Sequence, residues 1–309
     1  VRDILVYEKE ETCKRYEPLI PMFRNMEKLA AILRKGRKKQ GSINFDFQEC
    51  KILLDKNGKP TDIVPYDRNV ATRMIEEFML AANKVVAEDY FWMDIPFLYR
   101  IHEYPDLEKI QQLSMITASL GYHIKVGKEE VHPRELQKLI TSIEGTEEEA
   151  FLSRLTLRSM KRAKYSTNNE GHFGLATKYY CHFTSPIRRY PDLQIHRIIK
   201  ENIRHGIQGK RYEHYNDLLP GVAISTSEKE RRADDAEREV EKLKKAEYMY
   251  DHIGECYHGV ISGVTSWGIY VELPNTVEGM VRISEMEDDQ YEFQEERYRV
   301  VGHYTGKEY

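Results

Sequence analysis

The feature that most limits what this chain can fold into is a change of hydrophobic spacing at Gly254. Before it, apolar residues recur mainly at helical spacing, whereas beyond it they alternate. Segments 256–264, 268–273 and 279–283 predict short strands separated by glycine and Pro-Asn turns. Because spacing decides which face an element can bury, the sequence predicts an α+β domain over 1–253 and a small all-β domain over 254–309.

The first domain is predicted to be rich in helices. Ser227 and Glu230 have the spacing of a capping box, and Asp67 is a candidate cap for an earlier helix. The predicted buried faces are Ala71, Ile75, Phe78 and Ala82 in that earlier helix, and Ala233, Ala236, Val240 and Leu243 in the charged one. The predicted helices cover 22–38, 67–87, 105–120, 133–143, 147–162, 190–204 and 227–252.

Two β features interrupt these helices. Residues 42–47 predict a strand, and a hairpin is predicted from 51–54 and 61–65 around Asn57-Gly58. Asn-Gly favours the tight turn because both residues accept a positive φ.

Composition limits the function classes. The 309 residues carry a net charge of −4, so contact with nucleic acid requires local basic patches. The four cysteines form no CxxC pair, which argues against a zinc site or disulfide framework and favours reduced thiols in the cytoplasm. No apolar run approaches the roughly 20 residues of a membrane span. Since Val1 is first, we expect an internal piece of a longer protein.

The strongest chemical motif is residues 180–193, YCHFTSPIRRYPDL, followed by His196-Arg197. It sets Arg188 and Arg189 behind a Ser-Pro corner, and Pro191 suits the first turn of a helix. Free helix N–H groups with a guanidinium form a phosphate site. His182 is either a phosphate contact or a satisfied core histidine, and His196 and Arg197 are expected to support the corner.

Residues 171–176 and 180–197 closely resemble the signature of the ribonuclease II/ribonuclease R (RNB) family of 3′→5′ exoribonucleases. Residues 41–47 and 49–51, 68–83 and 227–237 resemble further blocks of that family, and 254–286 resembles its OB-type barrel. The paired arginines and Pro191 look more like ribonuclease R than ribonuclease II. The resemblance implies an RNB-type catalytic domain, with a mixed sheet and packed helices, followed by a partial OB-type barrel.

The activity implied by this resemblance is processive hydrolysis of single-stranded RNA to nucleoside 5′-monophosphates, with Mg²⁺ as cofactor. The family holds that metal with a cluster of aspartates that the sequence does not contain. Three acidic runs, Glu147–149, Asp234-Asp235 and Asp288-Asp289, lack the family context and are interpreted as solvated faces. The metal ligands are therefore expected in a segment absent from this chain, so the chain alone is expected to be inactive or only to bind RNA.

The resemblance also implies roles for individual residues. Arg188 would contact the scissile phosphate, with Arg189 contacting RNA or bracing the backbone. Phe45 would stack on a base near the RNA 3′ end, and Glu77 would accept a ribose hydroxyl hydrogen bond. Glu230 matches an acid near the active site, in competition with its capping role.

In the barrel, Trp267 and Tyr270 are a candidate stacking platform, unless one of them fills the interior, and Arg282 is a candidate phosphate contact. Single-stranded RNA is the expected partner, with the ribosome or RNA-decay factors as further candidates. Two alternatives remain, an inactive RNA-binding relative and a docking protein that keeps only the scaffold. The second is disfavoured because Arg188, Phe45 and Glu77 occur together.

Overall fold

A computed structural model describes residues 1–45, 50–66, 68–295 and 298–309. The chain forms two compact units, each built from several segments. The first contains Val1–Ile43, Asp67–Glu103 and Arg162–Ala233, and the second contains Asn44–Tyr66, Tyr104–Lys161 and Asp234–Tyr309. The domain boundary at 253/254 stays a prediction.

The helices within the described residues are α1 (Arg2–Leu5), α2 (Glu10–Arg15), α3 (Ile20–Gln40), α4 (Val70–Trp92), α5 (Leu107–Ser119), α6 (Pro133–Ile143), α7 (Glu149–Ser159), α8 (Tyr190–His205) and α9 (Lys210–Tyr250). The strands are β1 (Cys50–Leu54), β2 (Pro60–Pro65), β3 (Tyr99–Ile101), β4 (Lys164–Ser166), β5 (Val260–Val264), β6 (Gly268–Glu272), β7 (Glu278–Arg282), β8 (Tyr291–Gln294) and β9 (Arg299–Gly302). The structure therefore confirms the α+β class, with helices and small sheets before a β unit.

The predicted helix over 67–87 is observed as α4, but its cap and buried face differ from the prediction. Asp67 lies outside the described residues, and Asn69 caps the helix by accepting from the N–H groups of Ala71 and Thr72. Ile75 is 48% exposed, so its predicted burial is wrong. The buried positions are Met74, Glu77, Asn83, Ala87 and Tyr90. The predicted face missed the polar Glu77 and Asn83, since apolar spacing alone cannot identify buried residues with polar partners.

A short two-stranded sheet, β3 with β4, was not predicted. The strands are antiparallel, with Arg100 opposite Tyr165. The Arg100 N–H also bonds to the Tyr180 carbonyl at 2.9 Å, which ties the start of the arginine motif to β3. The core beside this sheet is formed by residues from α4, the segment before β3, and α8, including Ala87, Phe97, Leu98, Ile101, Ile195 and Ile198.

The predicted strand over 42–47 is wrong for residues 42–45, which belong to no strand, while 46 and 47 lie outside the described residues. The backbone turns after α3 at Gly41, whose φ of 103° is one that glycine tolerates. Ile43 then donates its N–H to the Gly174 carbonyl at 2.8 Å, a single bond instead of a ladder.

The long helix α9 corrects the prediction of a helix starting at 227. Ser227 lies in its interior, where the side-chain hydroxyl donates to the Ala223 carbonyl at 2.8 Å and also accepts from the Tyr165 N–H at 2.9 Å. It is therefore not a cap. The predicted inward face is also wrong: all four of its residues are exposed, with Val240 at 58% and Leu243 at 64%.

The second unit agrees more closely with the sequence. The hairpin of β1 and β2 and the helices α5, α6 and α7 lie where they were predicted, and β5, β6 and β7 form an antiparallel sheet in that order. Strands β8 and β9 form a further antiparallel pair that was not predicted. The core of the β unit is formed by Val264, Ile269, Tyr291 and Val300.

Candidate functional site

The arginine motif forms a tight corner before α8. The Ser185 carbonyl accepts the N–H groups of Arg188 at 3.3 Å and Arg189 at 3.1 Å, and α8 begins at Tyr190 with Pro191 in its first turn. Asp192 is fully buried, and its Oδ1 accepts the Ser185 N–H at 2.8 Å. The predicted corner and helix start are therefore present.

The two adjacent arginines have different environments. Arg189 makes a forked ion pair with Asp192, with Nε 2.9 Å from Oδ2 and Nη2 2.7 Å from Oδ1. Its side chain is 18% exposed. This geometry fits the bracing role, because the guanidinium is held on a buried carboxylate that itself holds the corner backbone.

The Arg188 side chain is exposed and makes no hydrogen bond or ion pair with any residue that the structure describes. Ile187 beside it is also fully exposed. A guanidinium on a fixed backbone with its donors unoccupied can receive a phosphate without first breaking a protein contact. Arg188 is thus the arginine of the pair that is available to an anion.

A cavity of about 480 Å³ lies against the same corner. One face of α4 forms most of its wall, and Arg189 and Tyr180 complete it. Glu76, also in the wall, is ion-paired with Arg68 at 2.6 Å. The α4 residues are Ala71, Thr72, Ile75, Glu76, Met79, Leu80 and Asn83.

Asn83 joins α4 to the motif. Its amide nitrogen donates to the Tyr180 hydroxyl at 3.2 Å, and its Oδ1 accepts the Phe183 N–H at 3.0 Å. The buried amide therefore bonds to the two residues that flank Cys181 and His182 in the motif. The spacing of apolar residues did not identify this asparagine. A polar residue that falls among the buried positions of a helix does, however, indicate a side chain with hydrogen-bond partners in the core.

His182 is half-buried and hydrogen-bonded within the protein, which fits the interpretation of it as a satisfied histidine. Its Nδ1 lies 2.8 Å from the Tyr165 hydroxyl, and its ring packs edge-on against Tyr180. Burial, with help from Arg189 and Arg100, lowers its pKa to about 2, so the ring is neutral. A neutral, hydrogen-bonded ring contributes no positive charge to a phosphate site.

Glu230 belongs to the same polar network and is not a cap. Its Oε2 lies 2.5 Å from Nη1 of Arg100, and its Oε1 accepts from the Tyr165 hydroxyl at 3.4 Å. The Arg100 guanidinium also lies 4.7 Å from the Tyr165 ring centroid. Arg100 and Tyr165 were missed because β3 and β4 are too short to give a pattern.

Glu77 is held by Arg37 of α3. The pair is almost buried, with side chains 7% and 11% exposed, and Nη2 lies 2.6 Å from Oε1. Arg37 also donates to the Ser42 hydroxyl at 2.9 Å, and Phe45, three residues later in sequence, is half-buried. Neither Glu77 nor Phe45, the two residues expected at the RNA 3′ end, lines the cavity by the corner.

His196 and Arg197 lie where supporting residues were expected. The His196 ring stacks on Phe183 with centroids 4.3 Å apart, and its Nε2 lies 2.9 Å from the Phe183 carbonyl. Arg197 lies over the Tyr190 ring at 5.8 Å. His196 therefore holds α8 against Phe183, whereas Arg197 contacts Tyr190 within α8 itself.

In the β unit, Trp267 is 77% exposed at the turn before β6, so it does not fill the interior. Tyr270 is half-buried on the strand face opposite to the buried Ile269. Arg282 is exposed and lies 3.8 Å from Glu285. These three residues therefore lie outside the core, as a contact surface requires.

Among the described residues, no group of three or more histidine, cysteine, aspartate or glutamate side chains is arranged to hold a metal ion. All four cysteines are free thiols. The helices within the described ranges include none that is long and apolar enough to cross a membrane.

Comparison with protein families gives two matches. Residues 1–205 match the model of the RNB domain, and residues 250–302 match the S1 RNA binding domain. Since the first match covers more than half of the chain, the chain belongs to the RNB family.

Its relatives are more specific. The chain is 43% identical to ribonuclease R 1 of Lactococcus lactis over 96% of its length, and 46% identical to ribonuclease R of Aquifex aeolicus over 95%. These alignments cover 36% and 41% of the two relatives, so the chain spans about two fifths of their length. The predicted family is therefore confirmed.

Two solved structures show the same fold. Mycoplasma genitalium RNase R in complex with ribose-methylated single-stranded RNA matches with a TM-score of 0.87 and 27% identity, over 95% of this chain and 46% of that one. Yeast Ssd1, described as a pseudonuclease, matches with a TM-score of 0.62 and 21% identity, over 76% of this chain and 29% of that one. The RNB and OB-type architecture is thus confirmed, and the second match concerns the fold alone.

Proposed function

We propose that this chain is part of a 3′→5′ exoribonuclease that hydrolyses single-stranded RNA processively and releases nucleoside 5′-monophosphates. The observation that carries the proposal is the asymmetric arginine corner, in which Arg189 is held by buried Asp192 while Arg188 is exposed without an ion-pair partner among the described residues. Membership of the RNB family and similarity to ribonuclease R proteins support it.

Arg188 supplies charge stabilisation in this proposal. The phosphoryl oxygens gain negative charge as the linkage to the last nucleotide is attacked, and a positioned guanidinium stabilises that charge. Its backbone is fixed by the Ser185 turn and, through Asp192, by Arg189. A rigid backbone at Arg188 matters because displacing a catalytic group by about 1 Å can lower the rate about a hundredfold.

Phe45 and Glu77 hold the 3′-terminal nucleotides. Phe45 stacks on a base, which accepts any sequence because every base has a π-face. Glu77 accepts a hydrogen bond from a ribose hydroxyl, which selects RNA over DNA. Its pairing with Arg37 holds this carboxylate in one orientation in a nearly buried position.

The described residues do not fit the Mg²⁺ that the family implies, since they form no ligand cluster. We therefore assign no chemical step to a metal within this chain. We propose that the metal ligands belong to the part of the ribonuclease R length that the chain does not span. A cytoplasmic location and contacts with the ribosome or RNA-decay factors are part of the same proposal and are not carried by the geometry.

The test uses the full-length gene product and single-stranded RNA that is labelled at every nucleotide, with Mg²⁺ or with chelator. We expect mononucleotide release only with metal, and a fall in turnover of about a hundred- to a thousandfold in Arg188→Ala, with RNA binding mostly retained. Arg197→Ala is the matched control, because it removes an arginine of the same helix region that touches Tyr190 instead of the corner. An unchanged rate constant in Arg188→Ala would remove this arginine from the mechanism.

The second candidate is an RNA-binding relative without nuclease activity. It is favoured by the lack of a ligand cluster in the described part of the chain. It predicts that the full-length product binds single-stranded RNA and releases no nucleotide with any divalent metal. Absence of RNA binding as well would refute both candidates.

A further inference from the structure

Strands β6 and β7 present a ladder of paired side chains on one face of the β unit. The register places Gly268 opposite Arg282, Tyr270 opposite Met280, and Glu272 opposite Glu278. The intervening residues Ile269 and Val271 pack in the core cluster, so the ladder lies on the other face. One end of this face is aromatic and basic, whereas the other end carries two carboxylates.

Two carboxylates directly opposite each other on neighbouring strands repel and destabilise the pairing. They also repel any polyanion that approaches the same face. The pair Glu272 and Glu278 is called the acidic rung. Met280 and Arg282, on the same face, are exposed, so the face is open to solvent beyond this pair. The acidic rung therefore works against the contact role of Tyr270 and Arg282 unless its charge is compensated.

Arg154 of α7 supplies that compensation. Its Nη1 donates to Glu278 and its Nη2 donates to Glu272, so one guanidinium bridges the repelling pair. The Ser262 hydroxyl adds a bond to Glu278 at 2.6 Å. Burial raises the pKa of Glu278, but its bonds from Ser262 and Arg154 outweigh this and leave the pKa below its usual value. The Glu278 carboxylate is thus ionised, and its charge needs a cation.

We propose that Arg154 is a positioning residue that makes this face competent to bind the phosphate backbone of RNA, by neutralising and covering the Glu272–Glu278 rung. The inference rests on the proposed function, since it concerns how the β unit accepts RNA. Arg154 does not touch the RNA itself. Both of its terminal nitrogens donate to carboxylates, so the guanidinium cannot bind a phosphate with these two nitrogens at the same time.

The test is fluorescence anisotropy of a labelled single-stranded RNA with the 309-residue chain, in chelator and at about 50 mM salt. We expect Arg154→Ala to weaken binding about three- to tenfold, because two uncompensated carboxylates then lie within a Debye length of the bound backbone. Arg158→Ala is the matched control. It removes the same charge from an exposed residue of the same helix that makes no ion pair with the described residues. Because the Arg158 charge also acts on Glu278 without bonding to it, Arg158→Ala should weaken binding less than Arg154→Ala does.

The decisive comparison is made in the double variant Glu272→Gln with Glu278→Gln. If Arg154 acts by screening, removing it from this background costs no more affinity than removing Arg158, and the double variant rescues Arg154→Ala. If Arg154 contacts phosphate directly, its loss costs the same in both backgrounds, and our inference is overturned. This comparison also serves if Arg154→Ala alone fails to fold, because the double variant lacks the repelling charges.

The failure of the two proposals can be told apart. If the wild-type chain binds no RNA, the proposed function of the β unit fails and the screening role falls with it. If the wild-type chain binds and Arg154→Ala binds equally well at low salt, only the screening role is refuted. Circular dichroism of each variant verifies that the affinities compare folded proteins.

Discussion

The adjacent arginines of the corner should separate cleanly into one that stabilises the fold and one that serves a ligand. Arg189 holds the fully buried Asp192 through two hydrogen bonds, whereas Arg188 is exposed without an ion pair to the described residues. We therefore predict that Arg189→Met destabilises the 309-residue chain strongly and that Arg188→Met leaves its stability almost unchanged.

The magnitude follows from burial. Removing one partner of a buried ion pair leaves an uncompensated charge, at a cost of about 3–5 kcal/mol in the free energy of unfolding. Asp192 keeps its bond from the Ser185 N–H, so the lower end, about 3 kcal/mol, is expected. That is a large share of the roughly 5–15 kcal/mol typical of a domain. Arg188→Met should stay within about 0.5 kcal/mol.

The assay is urea unfolding followed by far-UV circular dichroism. The double variant Arg189→Met with Asp192→Asn provides the control, because it removes the charge together with its partner and keeps an acceptor for Ser185. It should recover about 1–2 kcal/mol relative to Arg189→Met alone. Equal losses in Arg188→Met and Arg189→Met, or no recovery in the double variant, would refute the division of roles.

Three further predictions concern other parts of the chain. Burial is the main cause that lowers the pKa of His182 to about 2 and of His172 to about 3. Both histidines are neutral in the folded protein and become protonated below about pH 6.5 in the unfolded chain. The free energy of unfolding should therefore be highest above that pH and should fall by about 1.4 kcal/mol per histidine for each pH unit below it. Equal unfolding free energies at pH 7 and pH 5 would contradict this. Phe45→Ala in the full-length gene product should weaken binding of the RNA 3′ end and lengthen the final product. Phe45→Leu is the control, because it keeps a large apolar side chain that cannot stack on a base. Unchanged affinity and end-product length would make Phe45 a core residue. Gly268→Ala should destabilise the β unit, because the new Cβ would lie 2.3 Å from the Val281 carbonyl oxygen; a midpoint of thermal unfolding equal to that of wild type would show that the strands adjust.

The sequence by itself determined the secondary-structure plan and the central motif. Long amphipathic runs predicted α3 and α6 closely, and Asn57-Gly58 predicted the hairpin, because local spacing and turn chemistry act within a few residues. The corner before α8 was also readable, since Ser-Pro and Pro191 restrict the backbone directly. The family follows from the same residues.

Tertiary structure alone decided which polar residues are used and how. Arg188 and Arg189 are chemically identical neighbours, and only the position of Asp192 one turn later gives one of them a buried partner. Likewise, the sequence leaves Glu230 as either a helix cap or an acid near the active site, and the fold pairs it with Arg100, 130 residues away in sequence. Hydrogen bonds and ion pairs of this kind join segments that are distant in sequence, and they produce no periodic pattern of residues. The role of each polar residue is therefore decided only when folding brings its partner to it.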